Sequence, residues 1–302
     1  QTLDAKGMYL YPGMMDAHCH FTGYALDQYK LNLYGTKSFS EVLEKTKAYA
    51  KASSRTWIEG RLWDQHDWID HSFPVKDSLD KLFPDRPVFL MRIDGHAVLC
   101  NQKALDLAHI TKDTKIVDGV IEQKNGALTG ILIDKAVNLV QAVIPPIEQE
   151  LVESYLVQTQ KEFFQEGLTS FVDCGLEFQQ IQWVRKAYDD QKLRIRMSAM
   201  LMSSPENLSV YIKKIITRNE QLHIIGFKAF ADGSMGSRGA HLLEDYEDQH
   251  GHKGYSLIND TALQELVQQV YASPYQLNIH AIGDATNREV LEAFSRVLPT
   301  QN

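Results

Sequence analysis

In the second half of the chain, apolar runs of strand length alternate with amphipathic stretches of helix length. Residues 167–175, GLTSFVDCG, read as a buried strand, and 178–191, FQQIQWVRKAYDDQ, as an amphipathic helix. The pair repeats at 193–201 and 205–220. A third strand spans 224–233, and a helix over 259–273 is expected to be capped at Asp260 or Thr261. A fourth strand covers 275–284 and a last helix 285–298. Strand alternating with helix predicts parallel pairing and right-handed crossovers. Residues 11–21, YPGMMDAHCHF, add a fifth strand. By period two, Met14, Asp16, His18 and His20 point one way, and Met15, Ala17, Cys19 and Phe21 the other.

The stretch from 22 to 160 breaks this rhythm. Ser38-x-x-Glu41 opens a helical pattern with a capping box. Residues 86–101 and 126–133 read as strands of a separate sheet. The expected fold is therefore α/β. Residues 13–21 and 161–302 form five parallel strands of a partial TIM-like (β/α)8 barrel, with an α+β insertion over 22–160 after the first strand. Insertions at the C-terminal ends of barrel strands lie over the face that carries the chemistry. There is no internal repeat and no low-complexity tract.

Composition narrows the function classes. The 302 residues are 44% hydrophobic and 23% charged, as in a globular protein. A net charge of −8 and a pI near 5.8 argue against nucleic acid or an anionic membrane as partner. Three cysteines, Cys19, Cys100 and Cys174, do not make a disulfide scaffold. No apolar run approaches the roughly 20 residues of a membrane span. The chain shows no signal peptide and starts at Gln1 without Met. The expected localisation is cytoplasmic, with export as the alternative if a leader has been removed.

The chemistry concentrates at strand ends. Two imidazoles on one strand face, His18 and His20, can reach a single metal ion, although an ordinary strand can also end in two histidines. Lys228 lies within an apolar strand, where a charge is expensive unless paired or removed. Carboxylation by CO2 removes it and creates an anionic oxygen ligand. The alternatives are an ion pair with Asp232 or Asp173, or a lysine that snorkels to a strand end. His280 shares a face with Asn278 and Asp284 near the end of another strand. Taken alone, it reads as a core or supporting residue. In a parallel barrel these ends converge on one face, where a hydrolytic metal site requires several N and O donors.

Taken in order, PGMMDAHCHF, WIEGRLWDQHDW, PVFLMRIDGHAVLCNQKAL, FKAFADGSMGSRGA and NIHAIGDATN resemble the amidohydrolase superfamily, and within it the amidohydrolase-3 (YtcJ-like) branch. The resemblance spans nearly the whole chain. It implies a distorted (β/α)8 barrel with one or two divalent metal ions, usually zinc. It also implies a metal-activated hydroxide that attacks an amide or similar carbonyl. By motif match, His18 and His20 are first-strand ligands, Lys228 is the fourth-strand ligand in carboxylated form, and His280 is the fifth-strand ligand. The family's strand-six histidine and strand-eight aspartate have no counterpart, so no catalytic proton shuttle is identified. Residues 1–12 resemble the last strand of a flanking β-sandwich. The chain is accordingly expected to be an N-terminal fragment of the barrel.

His96 in IDGHAV is a turn histidine of a small sheet or, through the family match, a substrate contact. Asp16 and Asp232 are expected to support ligands rather than bind metal. Cys19 faces away by strand parity. His250 and His252 lie among turn residues in a solvated loop. The glycine-rich stretch 232–241 can offer N–H groups to an anion but lacks a Walker pattern. Trp57, Trp63 and Trp68 read as core of the insertion. No G-x-S-x-G supports serine hydrolysis. The expected function is metal-dependent hydrolysis of a C–N bond in a small amide or cyclic amide. The alternatives are a non-catalytic partial barrel, or an ester or phosphoester substrate on the same site. A small-molecule substrate is the expected partner, and a homodimer is left open.

Overall fold

The computed structural model describes residues 4–117, 119–214, 220–235, 238–247 and 249–299. The chain divides into two compact units. One joins residues up to 26 with those from 149 onward, and the other is 27–148. The first unit opens with β1 (Met14–Cys19), followed by α1 (Phe21–Asp27). Residues 4–13 belong to no strand.

The second unit carries β2 (Leu31–Asn32), α2 (Phe39–Ala52), β3 (Ile58–Trp63), α3 (Asp77–Leu82), β4 (Val88–Arg92) and β5 (Ala97–Cys100). It continues with α4 (Gln102–Leu107), β6 (Gly119–Lys124), β7 (Ala127–Asp134) and α5 (Lys135–Gln141). Its six strands pair in the order β2-β3-β4-β5-β7-β6, parallel from β2 to β4 and antiparallel beyond. The apolar run 86–101 is two strands, because residues 93–96 turn with Gly95 at φ +75°. Ser38 caps α2 by accepting from the Glu41 N–H at 3.1 Å, while the Glu41 carboxylate takes the N–H of Lys37 at 2.8 Å. Trp63 and Trp68 are buried in one apolar cluster with Leu33, Ile58 and Leu90, and Trp57 in another with Phe89 and Val98. The tryptophans fill this unit's core, as their sequence context suggests.

The first unit resumes with α6 (Gln149–Gln165), β8 (Leu168–Leu176), α7 (Phe178–Asp189), β9 (Arg196–Met202), α8 (Pro205–Tyr211) and β10 (Leu222–Phe230). It ends in α9 (Asp260–Tyr271), β11 (Gln276–His280) and α10 (Asp284–Ser295). The sheet order β1-β8-β9-β10-β11 is parallel throughout. Two expectations are corrected. The cap of α9 is Asn259, whose side chain accepts from Ala262 N, and not Asp260 or Thr261. The helix expected over 205–220 stops at Tyr211, and residues 215–219 lie outside the described residues.

Helices cover one face of this sheet. Phe171 of β8 stacks on Phe21 at 4.5 Å and meets Phe163 of α6 edge-on. Leu277 and Ile279 of β11 pack against Leu263, Val267 and Val290 of α9 and α10. Residues of opposite parity take the other face. Among the described residues no helix is long and apolar enough to cross a membrane.

Candidate metal centre

Strand register assigns the sequence candidates to a face. Cys19 pairs with Asp173, which shares the helix-covered side with Phe171, so His18 and His20 take the side of Cys174. Cys174 pairs with Met200 and Met200 with Gly226, which carries that side to Lys228, two residues on. Lys228 pairs with Asn278, and Phe230 with His280. His18, His20, Lys228, Asn278 and His280 therefore share the face opposite the helices, at the C-terminal ends of their strands.

The local sequence explains how each end is held. Asp16 accepts the N–H of His18 at 3.0 Å, and the pairing of β1 with β8 slips by one residue between Asp16 and Cys19. This bulge ends β1 and leaves His20 just beyond it. Next, Phe21 is fully buried, and Asp173 accepts both the N–H and the hydroxyl of Thr22, at 2.9 and 2.8 Å. The turn carrying His20 is thus pinned from the helix side. The two imidazoles are exposed, with ring centroids 5.8 Å apart at 82°. Cys19 lies on the far face, and burial, aided by Asp173, pushes its thiol up to about 12. It is a neutral packing group.

His280 ends β11 beside the Phe230 ring, at 5.1 Å. Asp232, itself 1% exposed, gathers the backbone that follows. Its oxygens accept from Ile282 N at 3.0 Å, Gly283 N at 2.7 Å and His241 N at 3.1 Å, and lie 3.7 Å from His280 Nε2. Burial works to raise its pKa, but the N–H donors outweigh burial and hold the carboxyl below the usual range.

Lys228 corrects the ion-pair reading. It is buried, yet among the described residues no carboxylate stands within salt-bridge distance of Nζ. Its neighbour is the Phe230 ring, 5.2 Å away. Asp173 and Asp232, the expected counter-ions, are spent on Thr22 and on the loop after His280. Gly175, at φ +119°, makes room for the lysine stem. A Cβ there would lie 2.9 Å from Met202 Sδ and 3.6 Å from Lys228 Cγ. Beside Lys228, the Asn278 Nδ2 is buried without a hydrogen-bond partner among the described residues.

The donor chemistry fits a divalent ion with one anionic oxygen ligand: three imidazoles, and an amine whose carboxylation would give the Asn278 amide an acceptor. Among the described residues no three His, Cys, Asp or Glu side chains close around one point. The donors share a face and an end of the sheet, and stand apart on it.

His96 belongs to the other unit. Its Nδ1 lies 2.8 Å from Asp134 Oδ1, and its carbonyl accepts the Asp134 N–H at 2.8 Å. Asp134 holds a strained φ of +51°. The sequence reading missed Asp134; its only signal was an aspartate at a strand-to-helix junction. It also gave Asn278 a face but no role, and it missed Gly175. His252 bonds the Arg238 carbonyl at 2.8 Å and stacks on Tyr246, which leaves no H-x-H metal pair with His250. In the glycine-rich stretch, residues 236 and 237 lie outside the described residues. The N–H groups of Gly233, Gly239, Ala240 and His241 all bond within the loop, so they do not form an anion site.

Residues 1–302 match the sequence profile of the Amidohydrolase family. The YtcJ protein of Bacillus subtilis (strain 168) is 29% identical over 307 residues, 99% of this chain and 58% of its own length. An N-substituted formamide deformylase of Arthrobacter pascens is 23% identical over 318 residues, 100% of this chain and 58% of its own. The crystal structure of a metal-dependent hydrolase from Pyrococcus furiosus superposes with a TM-score of 0.74 at 25% identity, over 95% of this chain and 58% of that one. The chain thus spans a little more than half the length of these relatives.

Proposed function

The chain belongs to the amidohydrolase family, and on that premise we propose that it serves metal-dependent hydrolysis of a C–N bond in a small amide or cyclic amide. In this reading β1, β8, β9, β10 and β11 are the first five strands of a distorted (β/α)8 barrel. His18, His20, His280 and carboxylated Lys228 hold one or two divalent ions, with zinc the expected metal. The observation that carries the reading is Lys228, buried with no counter-ion among the described residues, beside an Asn278 amide that finds no partner among them, on the face that bears the histidines. The resemblance to a formamide deformylase supports the choice of a C–N bond.

A bound zinc ion lowers the pKa of water toward about 7 and polarises a carbonyl. The rest falls to the chain's own residues. Lys228, as the free amine, would attack CO2: the N–C bond forms as one C=O π bond of CO2 opens, a proton passes from nitrogen to water, and the carbamate would offer an anionic oxygen to the metal. Asn278 Nδ2 donates to that carbamate. Asp16 fixes the backbone at His18, and Asp232 fixes the turn after His280. We assign His96 to substrate contact. Asp134 holds its Nδ1, and Nε2 bonds nothing among the described residues.

The test is zinc loading in bicarbonate buffer, followed by metal analysis and an assay against N-substituted formamides and cyclic amides. Zinc uptake with amide turnover, both lost in His18→Ala and His280→Ala, is the expected result. Turnover that survives both substitutions and chelation would end the proposal.

A further inference from the structure

A cleft of about 390 Å³ opens in the unit 27–148 and is lined by that unit alone. Its size is that of a small-molecule site. Strand register builds part of its lining. Glu59 pairs with Phe89 and Arg61 with Met91, so these four side chains share one face of β3 and β4. Ile144 and Ile147 add apolar surface, and Asp27 and Lys30 add charge. The pairing of β3 with β4 then slips between Arg61 and Trp63, and the unpaired Leu62 sits at φ +72°. A bulge of this kind re-aims the chain beside it, and a non-glycine residue at such a φ is strain of the sort that collects at binding sites.

The charges around this cleft balance in number but are unevenly shared. Glu59 is neutralised: Oε1 takes Arg55 at 2.8 Å and Oε2 accepts from the Tyr29 hydroxyl at 3.3 Å. Arg92 is held by Asp64, Asp94 and Gln65. Asp27, however, serves two cations. Lys30 lies 3.2 Å from one oxygen, and Arg61 contacts the other. Asp27 with Lys30 and Arg61 therefore carries a local excess of one positive charge, offset by one negative charge on Asp64 and Asp94 about Arg92, and the Lys30 and Arg61 side chains are only 29% and 30% exposed. Burial pushes both cations below their ordinary range, while Glu59 works in the opposite direction on Lys30.

We propose that this cleft binds a small organic carboxylate, paired with Arg61 and Lys30, whose apolar body lies against Phe89, Met91, Ile144 and Ile147. A planar carboxylate matches the guanidinium fork. A monoanion matches one surplus charge, whereas phosphate brings close to two. The apolar lining favours a ligand with a hydrocarbon body over a bare ion. Nothing in this proposal depends on hydrolysis.

Calorimetric titration of the full chain with 3-phenylpropionate, its neutral amide and inorganic phosphate tests it. Saturable binding of the acid at a Kd of about 1 mM or tighter is expected, with the amide and phosphate weaker by about tenfold or more. Arg61→Gln should weaken the acid about tenfold while the urea midpoint stays put. If Arg61→Gln does not fold, Ile147→Glu, at a half-buried lining position, should abolish binding by placing a like charge in the cleft. Equal binding of acid and amide would overturn the proposal. So would tighter binding of phosphate, no saturation with the acid, or affinity unchanged in the folded variants.

Discussion

Lys228 and Asn278 are register partners across β10 and β11, and both end in nitrogen atoms that meet no acceptor among the described residues. A buried amide donor without a partner costs about 1–3 kcal/mol, so Asn278 Nδ2 beside the Lys228 amine calls for an acceptor that both can share. With ¹³C-bicarbonate and zinc, a carbamate resonance should appear in the protein and be absent from Lys228→Met. Asn278→Asp sets a like charge beside the carbamate and should lower its occupancy about tenfold. Hydrolysis should fall with it by about 10–100-fold, the usual effect of losing a residue that supports a ligand. Full carbamate occupancy in Asn278→Asp would show that Asn278 does not hold the group.

Asp232 is the corresponding device for His280. Oδ1 accepts from Ile282 N, and Oδ2 from Gly283 N and His241 N. Asp232→Ala leaves three backbone donors unpaired and should cost about 3 kcal/mol or more in chemical denaturation. Asp232→Asn can turn its carbonyl toward only one set of donors and should fall between. A loss below about 1 kcal/mol in the alanine variant would mean that water replaces the carboxylate.

Much of the first unit was legible because each of its strands is an apolar run closed by a helix signal. The ends of β8, β10 and β11 fall close to where those runs stop. Period two separated His18 from Cys19, and parallel pairing put His18, Lys228 and His280 on one face. Asp16, expected on the face of His18, pairs instead with Phe171 on the helix-covered side, because the bulge between Asp16 and Cys19 breaks the alternation. What supports that face was not legible, because it depends on contacts distant in sequence. Asp173 reaches Thr22 across 151 positions and Asp232 reaches Gly283 across 51. Read locally, both aspartates looked like counter-ions for Lys228; in the fold, each is occupied by backbone N–H groups. The bulge after Asp16 and the left-handed Leu62 were hidden for a related reason. Neither residue type announces an extra residue in a strand, and only the partner strand reveals it.

Glu153 sets a pH limit on the first unit. It is buried on α6; Lys192 binds its carboxylate, and Gln149 donates at 3.0 Å. Lys192 chiefly, with Gln149, holds the carboxyl below its ordinary range. A depressed pKa means that the folded state binds the proton less readily than the unfolded chain. The stabilisation is therefore complete above the unfolded value of about 4.3 and fades as pH falls through the folded one. Denaturation curves should steepen in their loss of stability below about pH 4.3, and Glu153→Gln should flatten that limb while lowering the neutral plateau. An unchanged acid limb in the variant would assign the loss to other carboxylates.

Leu62 offers a stability test in the opposite direction from most core changes. Its φ of +72° places it in the left-handed region, where a β-carbon costs roughly 1–2 kcal/mol and glycine avoids that cost. Leu62→Gly forfeits a half-buried side chain and adds chain entropy to the unfolded state, so comparison with wild type alone mixes three effects. Leu62→Ala forfeits nearly the same side chain but keeps the strain. The glycine variant should therefore be more stable than the alanine variant by about 1 kcal/mol, the reverse of their order in an ordinary strand. In thermal melts that difference corresponds to roughly 2–4 °C. An alanine variant that melts higher than glycine would show that the bulge relaxes and that Leu62 stores no strain.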